Sequence, residues 1–562
     1  MSPFQPKLLT TLREGYGLTD LKADFLAGIT VAIVALPLSM ALAIASGASP
    51  DTGLITAVIA GFMISCLGGS RVQIGGPTGA FVVVVFNVIA LHGYDGLVLA
   101  TLLAGGILLL AGAFELGKLI KFIPHPVVTG FTAGIAVIIA TSQIKDFFGL
   151  ELTDVPADFI PKWQAYFAAY QTADWVTLAV GIGALALILL LRKIAPRIPG
   201  FLVAVVLASL IVSVLGLPID TIGSRFPDMP TGLPLPALPE FSFEKLVEVL
   251  PSAFTIAFLA GIEALLSAVV ADGMAGTRHR SNQELMGMGL ANIGSAMFGG
   301  LPATGAIART ATNIKAGGRT PVAGMVHAFS ILLFMLFASD LMAFVPMAAL
   351  AAILLVVAWG MSEFDRFVAL MRFPNSDRAV LLLTFLLTVL VDLTVAIGVG
   401  VTLASLIFMA RMSESVSVEN GGAIVADEEL DEDELKQRAD LPAGVEVFRI
   451  NGPMFFGVAG EVIDTMRRIG RTPKVIILRM RLVPVLDASG ITVMEEFIAQ
   501  ARIAGTQIVL SGVQRGPLRM LLRAGIRNHD GAVHFANDYP AAILIARDLT
   551  KEAAGDNNSE KA

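Results

Sequence analysis

The chain has 562 residues, of which 55% are hydrophobic and only 15% are charged, and its mean hydropathy is +0.77. A soluble protein carries about a quarter charged residues, so this composition excludes a chain that is water-soluble throughout. The net charge of −7 and the lack of a basic stripe exclude nucleic acid as a partner. The single cysteine, Cys66, excludes an intrachain disulfide and a cysteine-based metal cluster.

The long apolar runs are confined to one part of the chain, which predicts two domains. They begin near Asp24 and end near Arg411, whereas the sequence after Ser413 has the composition of a soluble protein. The predicted organisation is a cytoplasmic N-terminal segment 1–23, a transmembrane domain 24–411, an acidic linker 412–440, a soluble α/β domain 441–550 and a disordered tail 551–562.

Apolar runs near membrane-spanning length recur along the transmembrane domain, since a helix needs about 20 such residues to cross a bilayer. About fourteen segments are predicted, at 24–46, 53–68, 77–91, 97–116, 125–145, 174–192, 200–216, 251–271, 282–299, 303–316, 320–338, 342–361, 377–393 and 394–411. Lysine and arginine follow the even-numbered segments and are scarce after the odd-numbered ones, which predicts that both termini are cytoplasmic.

Two of these segments, 77–91 and 303–316, are short and are entered through glycine and proline. The first follows Gly75-Gly76-Pro77 and the second follows Leu301-Pro302. They are the third and the tenth segments, and an odd offset of seven means that the two halves run in opposite directions. The sequence therefore predicts a seven-plus-seven inverted repeat, in which paired interrupted segments mark the binding site of a transporter.

The chemistry of two such helix starts favours an anion. Each start leaves backbone N–H groups without partners and carries a partial positive charge. Small residues let a ligand approach the backbone, and the predicted substrate-binding residues at the two starts are Thr78, Gly79, Ala80, Thr304, Gly305 and Ala306. The alternative is that both interruptions are only packing kinks.

Ionisable side chains at membrane depth are costly, so each one is a functional candidate. Glu263 lies near the middle of the eighth segment, with Ser267 one turn further on, and the pair could bind sodium or the carboxylate could carry a proton. Arg309 lies in the tenth segment and is predicted to help hold the anion. The alternatives are that Glu263 is structural and that Arg309 only neutralises it.

The C-terminal part alternates apolar strands with amphipathic helices, which predicts a small α/β layer domain. Strands are predicted at 445–450, 475–480, 507–510 and 533–535, and helices at 461–469, 490–504, 517–524 and 540–548. No GxxxxGK[ST] motif occurs, which argues against a P-loop for ATP, and no nucleophile or metal constellation supports an enzyme.

Several motifs spread over nearly the whole chain carry a family resemblance, namely Asp24-Phe25-Leu26-Ala27-Gly28-Ile29-Thr30-Val31, Gly68-Gly69-Ser70-Arg71, Gly76-Pro77-Thr78-Gly79, Gly261-Ile262-Glu263-Ala264 and Leu486-Asp487-Ala488-Ser489-Gly490. The first four resemble signatures of the SulP sulfate-permease family. The last resembles the loop of a STAS domain, named after sulfate transporters and anti-sigma factor antagonists.

This resemblance implies a core domain and a gate domain, transport by an elevator-like movement of the core, and a homodimer. It implies an anion such as sulfate, bicarbonate, succinate or fumarate, held between the third and tenth helix starts, with Glu263 as the acidic position of the eighth helix. It also implies that Ser489 is a possible phosphorylation site, the alternative being that Ser489 caps the following helix. Leu38 and Leu42 depart from the Gln and Phe of the animal members, so halide selectivity does not carry over.

The resulting hypothesis is a secondary active anion transporter of a bacterial inner membrane, multi-pass, without a cofactor, coupled to a proton or to sodium at Glu263 and Ser267. Membrane lipid, a second copy of the chain and a cytoplasmic protein at the STAS domain are the predicted partners. Three alternatives stay open: an uncoupled exchanger or channel, a cation–nucleobase symporter, and a membrane-tethered sensor that reads a signal through the STAS domain.

Overall fold

The structure is a computed structural model that describes residues 4–118, 124–152, 155–195, 198–227, 232–239, 242–414, 417–420, 441–455, 473–528 and 532–559. It divides into two compact units, 1–404 and 405–562. Most of the predicted acidic linker 412–440 and the predicted helix 461–469 lie outside the described residues.

The first unit is built almost entirely of α-helices. In chain order these are α1 (Lys7–Glu14), α2 (Leu18–Ala45), α3 (Pro50–Leu67), α4 (Phe81–Ala113), α5 (His125–Ser142), α6 (Ile144–Phe148), α7 (Phe159–Ala168), α8 (Trp175–Ile194), α9 (Gly200–Leu215), α10 (Ile222–Arg225), α11 (Phe243–Ala275), α12 (Ser281–Met297), α13 (Ile307–Lys315), α14 (Val322–Phe337), α15 (Met347–Met361), α16 (Phe364–Leu370), α17 (Asn375–Leu390) and α18 (Leu393–Glu414). Short 3₁₀ turns occur at Leu116–Lys118, Tyr170–Thr172 and Ser339–Phe344.

Each predicted segment corresponds to a helix or to part of one within the described residues. In the part of the chain that the structure describes, eight helical stretches are long and apolar enough to cross a membrane. The third and fourth predicted segments are two helices that meet at Gly93, where φ is 70° and ψ is −178°, and the label α4 covers both of them. This backbone conformation suits glycine, because a side chain there would be strained.

Helix packing supports the predicted inverted repeat, because equivalent helix pairs from the two halves pack in the same way. α14 packs on α3 and α2, as α12 and α11 pack on α4. Likewise α17 packs on α5, as α15 packs on α8. In each case the helices of one pair lie seven segments away, in the predicted order, from the helices of the other pair.

Polar contacts at the ends of the helices repeat the same relation. Arg319 Nη1, just before α14, donates to Asp20 Oδ1 of α2 at 3.1 Å. His92 Nδ1, between the third and fourth segments, lies 3.3 Å from Glu248 Oε1 of α11. Since α11 and the fourth segment are the repeat equivalents of α2 and α14, the two contacts occupy equivalent places in the two halves.

The second unit contains one five-stranded sheet of β3 (Ser417–Asn420), β4 (Val445–Asn451), β5 (Val475–Leu482), β6 (Gln507–Ser511) and β7 (Val533–Ala536), in that spatial order. β3 is antiparallel to β4, and the other neighbours are parallel. Helices lie at Ala488–Ile503, Arg515–Arg523 and Tyr539–Ser559. Alternate residues of β4, β5 and β6 enter two separate cores, such as Ile476 on one face and Ile477 on the other, which is the burial expected of a sheet with helices on both faces.

Two predictions for this unit differ from the structure. The strand β3 was not predicted, because Ser-Val-Glu-Asn is short and polar. The last helix continues to Ser559 and thus enters the predicted disordered tail 551–562, since Lys551, Glu552 and the two following alanines are good helix formers.

Candidate substrate site

The two predicted helix starts meet at the centre of the first unit. Before α4 lies the two-residue strand β1 (Gly75–Gly76), and before α13 lies β2 (Thr304–Gly305). The strands pair in antiparallel fashion, with Gly75 opposite Gly305 and Gly76 opposite Thr304. Ala306 N also donates to Ile74 O at 2.8 Å. The two halves of the repeat therefore supply one shared site, and α4 and α13 start on either side of it.

The start of α4 is a tightened turn without a side-chain cap. Phe81 N donates to Thr78 O at 3.2 Å and Val82 N donates to Gly79 O at 3.1 Å. The capping position, Ala80, offers no side-chain acceptor, and the same holds for Ala306 at the start of α13. Neither helix start has a side-chain cap, so an anion can take that place at both of them.

Buried polar side chains hold the chain before α13 in its extended form. Asn292 donates to Ala303 O and accepts from Ala303 N, both at 2.9 Å. Leu301 N donates to Thr56 Oγ1 at 2.7 Å, and Ser295 Oγ donates to Leu301 O at 2.7 Å. Because backbone groups inside a membrane need internal partners, these side chains are what make the helix break tolerable.

Glu263 is joined to the α4 start. Its Oε2 accepts a hydrogen bond from Thr78 Oγ1 at 2.7 Å. Both side chains are half-buried, whereas Gly79, Ala80, Thr304, Gly305 and Ala306 are buried. The structure therefore brings the predicted coupling carboxylate to the predicted substrate residues.

Ser267 has a different neighbour from the one predicted. It is fully buried, and its Oγ lies 3.4 Å from Thr310 Oγ1, which accepts from Ile74 N at 3.0 Å. No hydrogen bond joins Ser267 to Glu263 among the described residues. Ser267 thus contacts the residue that supports the strand pair, and its role in sodium binding stays a prediction.

Arg309 lies behind the α4 start. Its side chain is only 1% exposed, and its Nη2 donates to Pro77 O at 2.9 Å and to Ser39 Oγ at 3.2 Å. Its Nε and Nη1 have no hydrogen-bond partner in the described part of the chain. Gly76 makes this approach possible, because a Cβ there would lie 2.4 Å from Nη1. Among the described residues no ion pair joins Arg309 to Glu263.

Gln73 also contacts the site, at Gly305, and was not predicted from the sequence. Its Nε2 donates to Ala264 O at 3.3 Å, and a Cβ on Gly305 would lie only 1.6 Å from that nitrogen. Its Oε1 has no partner among the described residues. Gln73 could have been identified from its position in the sequence, two residues before the Gly75-Gly76 strand.

Ser489 in the second unit does not cap its helix. The capping residue is Asp487, whose Oδ1 accepts from Gly490 N at 2.8 Å. Ser489 lies in the first turn and is half-buried. The capping alternative for Ser489 was therefore wrong: the aspartate two residues earlier already accepts the N–H that a cap would take.

Comparison with known protein families agrees with this architecture. Residues 21–384 match the model of the sulfate permease family, and residues 437–538 match the STAS domain model. The chain belongs to the sulfate permease family. It is therefore an anion transporter with a STAS domain, and not an enzyme.

Relatives of this sulfate permease family member cover nearly its whole length. YvdB of Bacillus subtilis, provisionally named a sulfate transporter, is 41% identical over 525 residues, which are 93% of this chain and 97% of YvdB. The bicarbonate transporter BicA of Picosynechococcus is 32% identical over 505 residues, 88% of this chain and 89% of BicA.

Solved structures give the same fold. The transmembrane domain of a cyanobacterial bicarbonate transporter BicA matches 69% of this family member and 98% of its own chain, with 30% identity and a TM-score of 0.61. The murine anion transporter Slc26a9 in its inward-facing state matches 96% of this chain and 94% of its own, with a TM-score of 0.84 at 19% identity.

Proposed function

We propose that the chain is a secondary active transporter that carries a small anion together with a proton or sodium across a bacterial inner membrane. The anion is held between the starts of α4 and α13 by Thr78, Gly79 and Ala80 and by their counterparts Thr304, Gly305 and Ala306. Both termini are cytoplasmic, the functional unit is a homodimer, and the core moves as an elevator against the gate.

The hydrogen bond between Glu263 and Thr78 carries this proposal. An anion at the uncapped α4 start would lie beside a carboxylate, and like charges at such short range repel strongly. Anion binding is favourable only when Glu263 has taken up a proton or has a cation beside it. By thermodynamic linkage the anion then promotes binding of that proton or cation, which is the requirement for symport.

Arg309 adds positive charge without blocking the site. Its guanidinium is fully buried and reaches the carbonyl of Pro77, directly before the α4 start, while two of its nitrogens remain without acceptors in the described part of the chain. A buried cation in this place raises the electrostatic potential at both helix starts. We propose that Arg309 contributes to anion affinity from behind the backbone.

Sulfate, bicarbonate and dicarboxylates such as succinate or fumarate are the proposed substrates. Relatives of 41% and 32% identity are named for sulfate and bicarbonate. The first-helix residues Leu38 and Leu42 are buried and apolar, so the donors for the anion come from the helix starts rather than from α2. Such backbone donors suit oxyanions, whose charge is spread over several oxygens.

Uptake into proteoliposomes tests the coupling role of Glu263. We expect Glu263→Gln to abolish uptake of labelled sulfate, bicarbonate or succinate driven by a proton or sodium gradient, because the neutral side chain cannot exchange the coupling ion. Exchange of anion against anion should persist. Glu248→Gln is the matched control, since Glu248 lies on the same helix at the protein surface and its side chain is 59% exposed. Gradient-driven uptake that survives in Glu263→Gln contradicts the coupling role.

A further inference from the structure

A cavity lies beside the start of α4 in the first unit. It has a volume of about 160 Å³ and is lined by α6, α7 and α10, by the ends of α2 and α5, and by the part of α4 from Val82 to Asn87. One water molecule occupies about 30 Å³ in the liquid, so a small oxyanion fits with part of its hydration shell. Phe86 lies five residues after the start of α4, which is roughly 8 Å along the helix from the substrate site.

Lys162 of α7 is the unusual residue of this cavity. Its side chain is buried, with only 4% of the residue exposed, although lysine is almost never buried without a partner. It forms no hydrogen bond and no ion pair with a carboxylate among the described residues. Its one specific contact is with Phe86, where Nζ lies 5.2 Å from the ring centroid.

The cavity itself has more cationic than anionic side chains. Lys145 and Arg225 also line it, and Asp146 is the one carboxylate among its described lining residues. That carboxylate is already engaged, because Arg225 Nη2 donates to Asp146 Oδ1 at 2.8 Å. Burial lowers the pKa of Lys162, which Asp158 partly opposes. Lys162 also lines an adjoining cavity with Asp158 and Asp392, but neither carboxylate forms an ion pair with the ammonium group in the described part of the chain.

A second unpartnered donor lies one helical turn from Lys162. Tyr166 is 4% exposed, and its hydroxyl has no hydrogen-bond partner in the part of the chain that the structure describes. Residues four apart share one face of a helix, so the ammonium and the hydroxyl both belong to the cavity face of α7. A buried donor without an acceptor is destabilising, and a bound anion would satisfy both groups.

We propose that this cavity is a second anion-binding site, in which Lys162 and Tyr166 bind a small oxyanion before it reaches the substrate site. Under the proposed orientation the cavity is on the extracytoplasmic side. The site holds an anion whether or not transport is coupled, because neither residue contacts Glu263.

Equilibrium binding of radiolabelled sulfate to the full-length chain in lipid nanodiscs tests the proposal, with unlabelled bicarbonate as a competitor. We expect Lys162→Gln to weaken a saturable component of binding by about tenfold or more, as for the loss of one charge-assisted hydrogen bond. Tyr166→Phe should weaken the same component to a smaller extent. Lys162→Arg should retain it, because the charge and the donors are kept.

Lys245→Gln is the matched control, since it removes one lysine from the exposed start of α11 on the same face. Each variant is accepted only if it is monodisperse and melts within a few degrees of the wild-type protein. Sulfate binding that is equal in wild-type and Lys162→Gln protein, or weakened equally by Lys245→Gln, overturns the second site. Neither result bears on the Glu263 experiment, whose readout is gradient-driven uptake.

Discussion

Of the two glycines at the substrate site, Gly305 is packed more tightly than Gly79. An added Cβ would lie 1.6 Å from Gln73 Nε2 and 3.3 Å from Ala264 Cα. We therefore expect Gly305→Ala to displace Gln73 and to disturb the β1–β2 pairing, which lowers sulfate affinity in nanodiscs several-fold.

The double variant Gly305→Ala, Gln73→Ala provides the internal check, because removing the Gln73 amide makes room for the methyl group. Affinity should recover in part, and the two substitutions should be non-additive, as expected for residues in direct contact. Additive losses would show that Gln73 does not limit the space at Gly305.

At the level of single residues, the sequence predicted which types of side chain form the site but not how they connect. Glu263 and the α4 start were both predicted, and their contact through Thr78 appears only in three dimensions. Ser267 was assigned to Glu263 from its i+4 spacing, yet its neighbour is Thr310. Helical spacing identifies residues on one face, whereas the partner on the facing element depends on packing between segments distant in sequence.

The role of Asp487 as the N-cap of the helix Ala488–Ile503 can be tested by substitution. The Asp487 carboxylate accepts from Gly490 N at the helix start. We expect Asp487→Ala to destabilise this helix by about 1 kcal/mol, the usual cost of losing an N-cap. Amide hydrogen exchange of 488–503 in the full-length chain should then accelerate about fivefold.

Ser489→Ala serves as the comparison in this experiment. Because Ser489 lies inside the first turn and does not cap the helix, its exchange rates should stay close to those of the wild-type protein. An equal acceleration in both variants would mean that Ser489 shares the capping role.

Elements with a strong hydrophobic signal were predicted well, and those without one were not. The strands at 445–450, 475–480, 507–510 and 533–535 all appear within a few residues of their predicted bounds. Their apolar runs are buried on both faces, which leaves little ambiguity. The interfacial helix α7 and the short helix α10 were not predicted, since both lie in polar loops between membrane segments.

Asp24 links the two halves of the molecule on the face that carries the N-terminal helix. Its carboxylate accepts from Arg319 N at 2.7 Å, from Thr320 N at 3.1 Å and from the Thr320 hydroxyl. Tyr16 OH also donates to it at 3.2 Å, and burial together with the Asp24 carboxylate raises the pKa of Tyr16 to about 12, so this donor stays protonated. Asp24 therefore fixes the start of α14 to α2.

We expect Asp24→Ala to lower the melting temperature of the full-length chain in nanodiscs. The buried N–H of Thr320 would lose its acceptor, at about 1–3 kcal/mol, and the partly buried N–H of Arg319 would lose its acceptor at a smaller cost. Asp20→Ala is the control, because its ion pair with Arg319 is largely exposed and such pairs contribute about 0–1 kcal/mol. Similar melting temperatures for the two variants would contradict a special role for Asp24.

For the molecule as a whole, the inverted repeat could be predicted because the segments that separate the two interrupted helices can be counted in the sequence. Two interrupted segments seven positions apart were enough to predict opposite directions, and the antiparallel pairing of β1 with β2 agrees with that. The extra cavity at Lys162 could not be predicted in this way. It is lined by parts of α2, α4, α5 and α6 together with α7 and α10, and α7 and α10 come from loops that the repeat does not relate.

The pairing of β1 with β2 also has a consequence for biosynthesis. The N–H of Ile74 depends on the Thr310 side chain, 236 positions later in the chain. At about 5–20 residues per second, a ribosome needs roughly 10–50 s to make that length. During this time the first helix break must stay in the translocon, in water or against a chaperone, because lipid offers no partner for its backbone. Completion of the tenth segment is therefore the step that commits the first half of the protein to the bilayer.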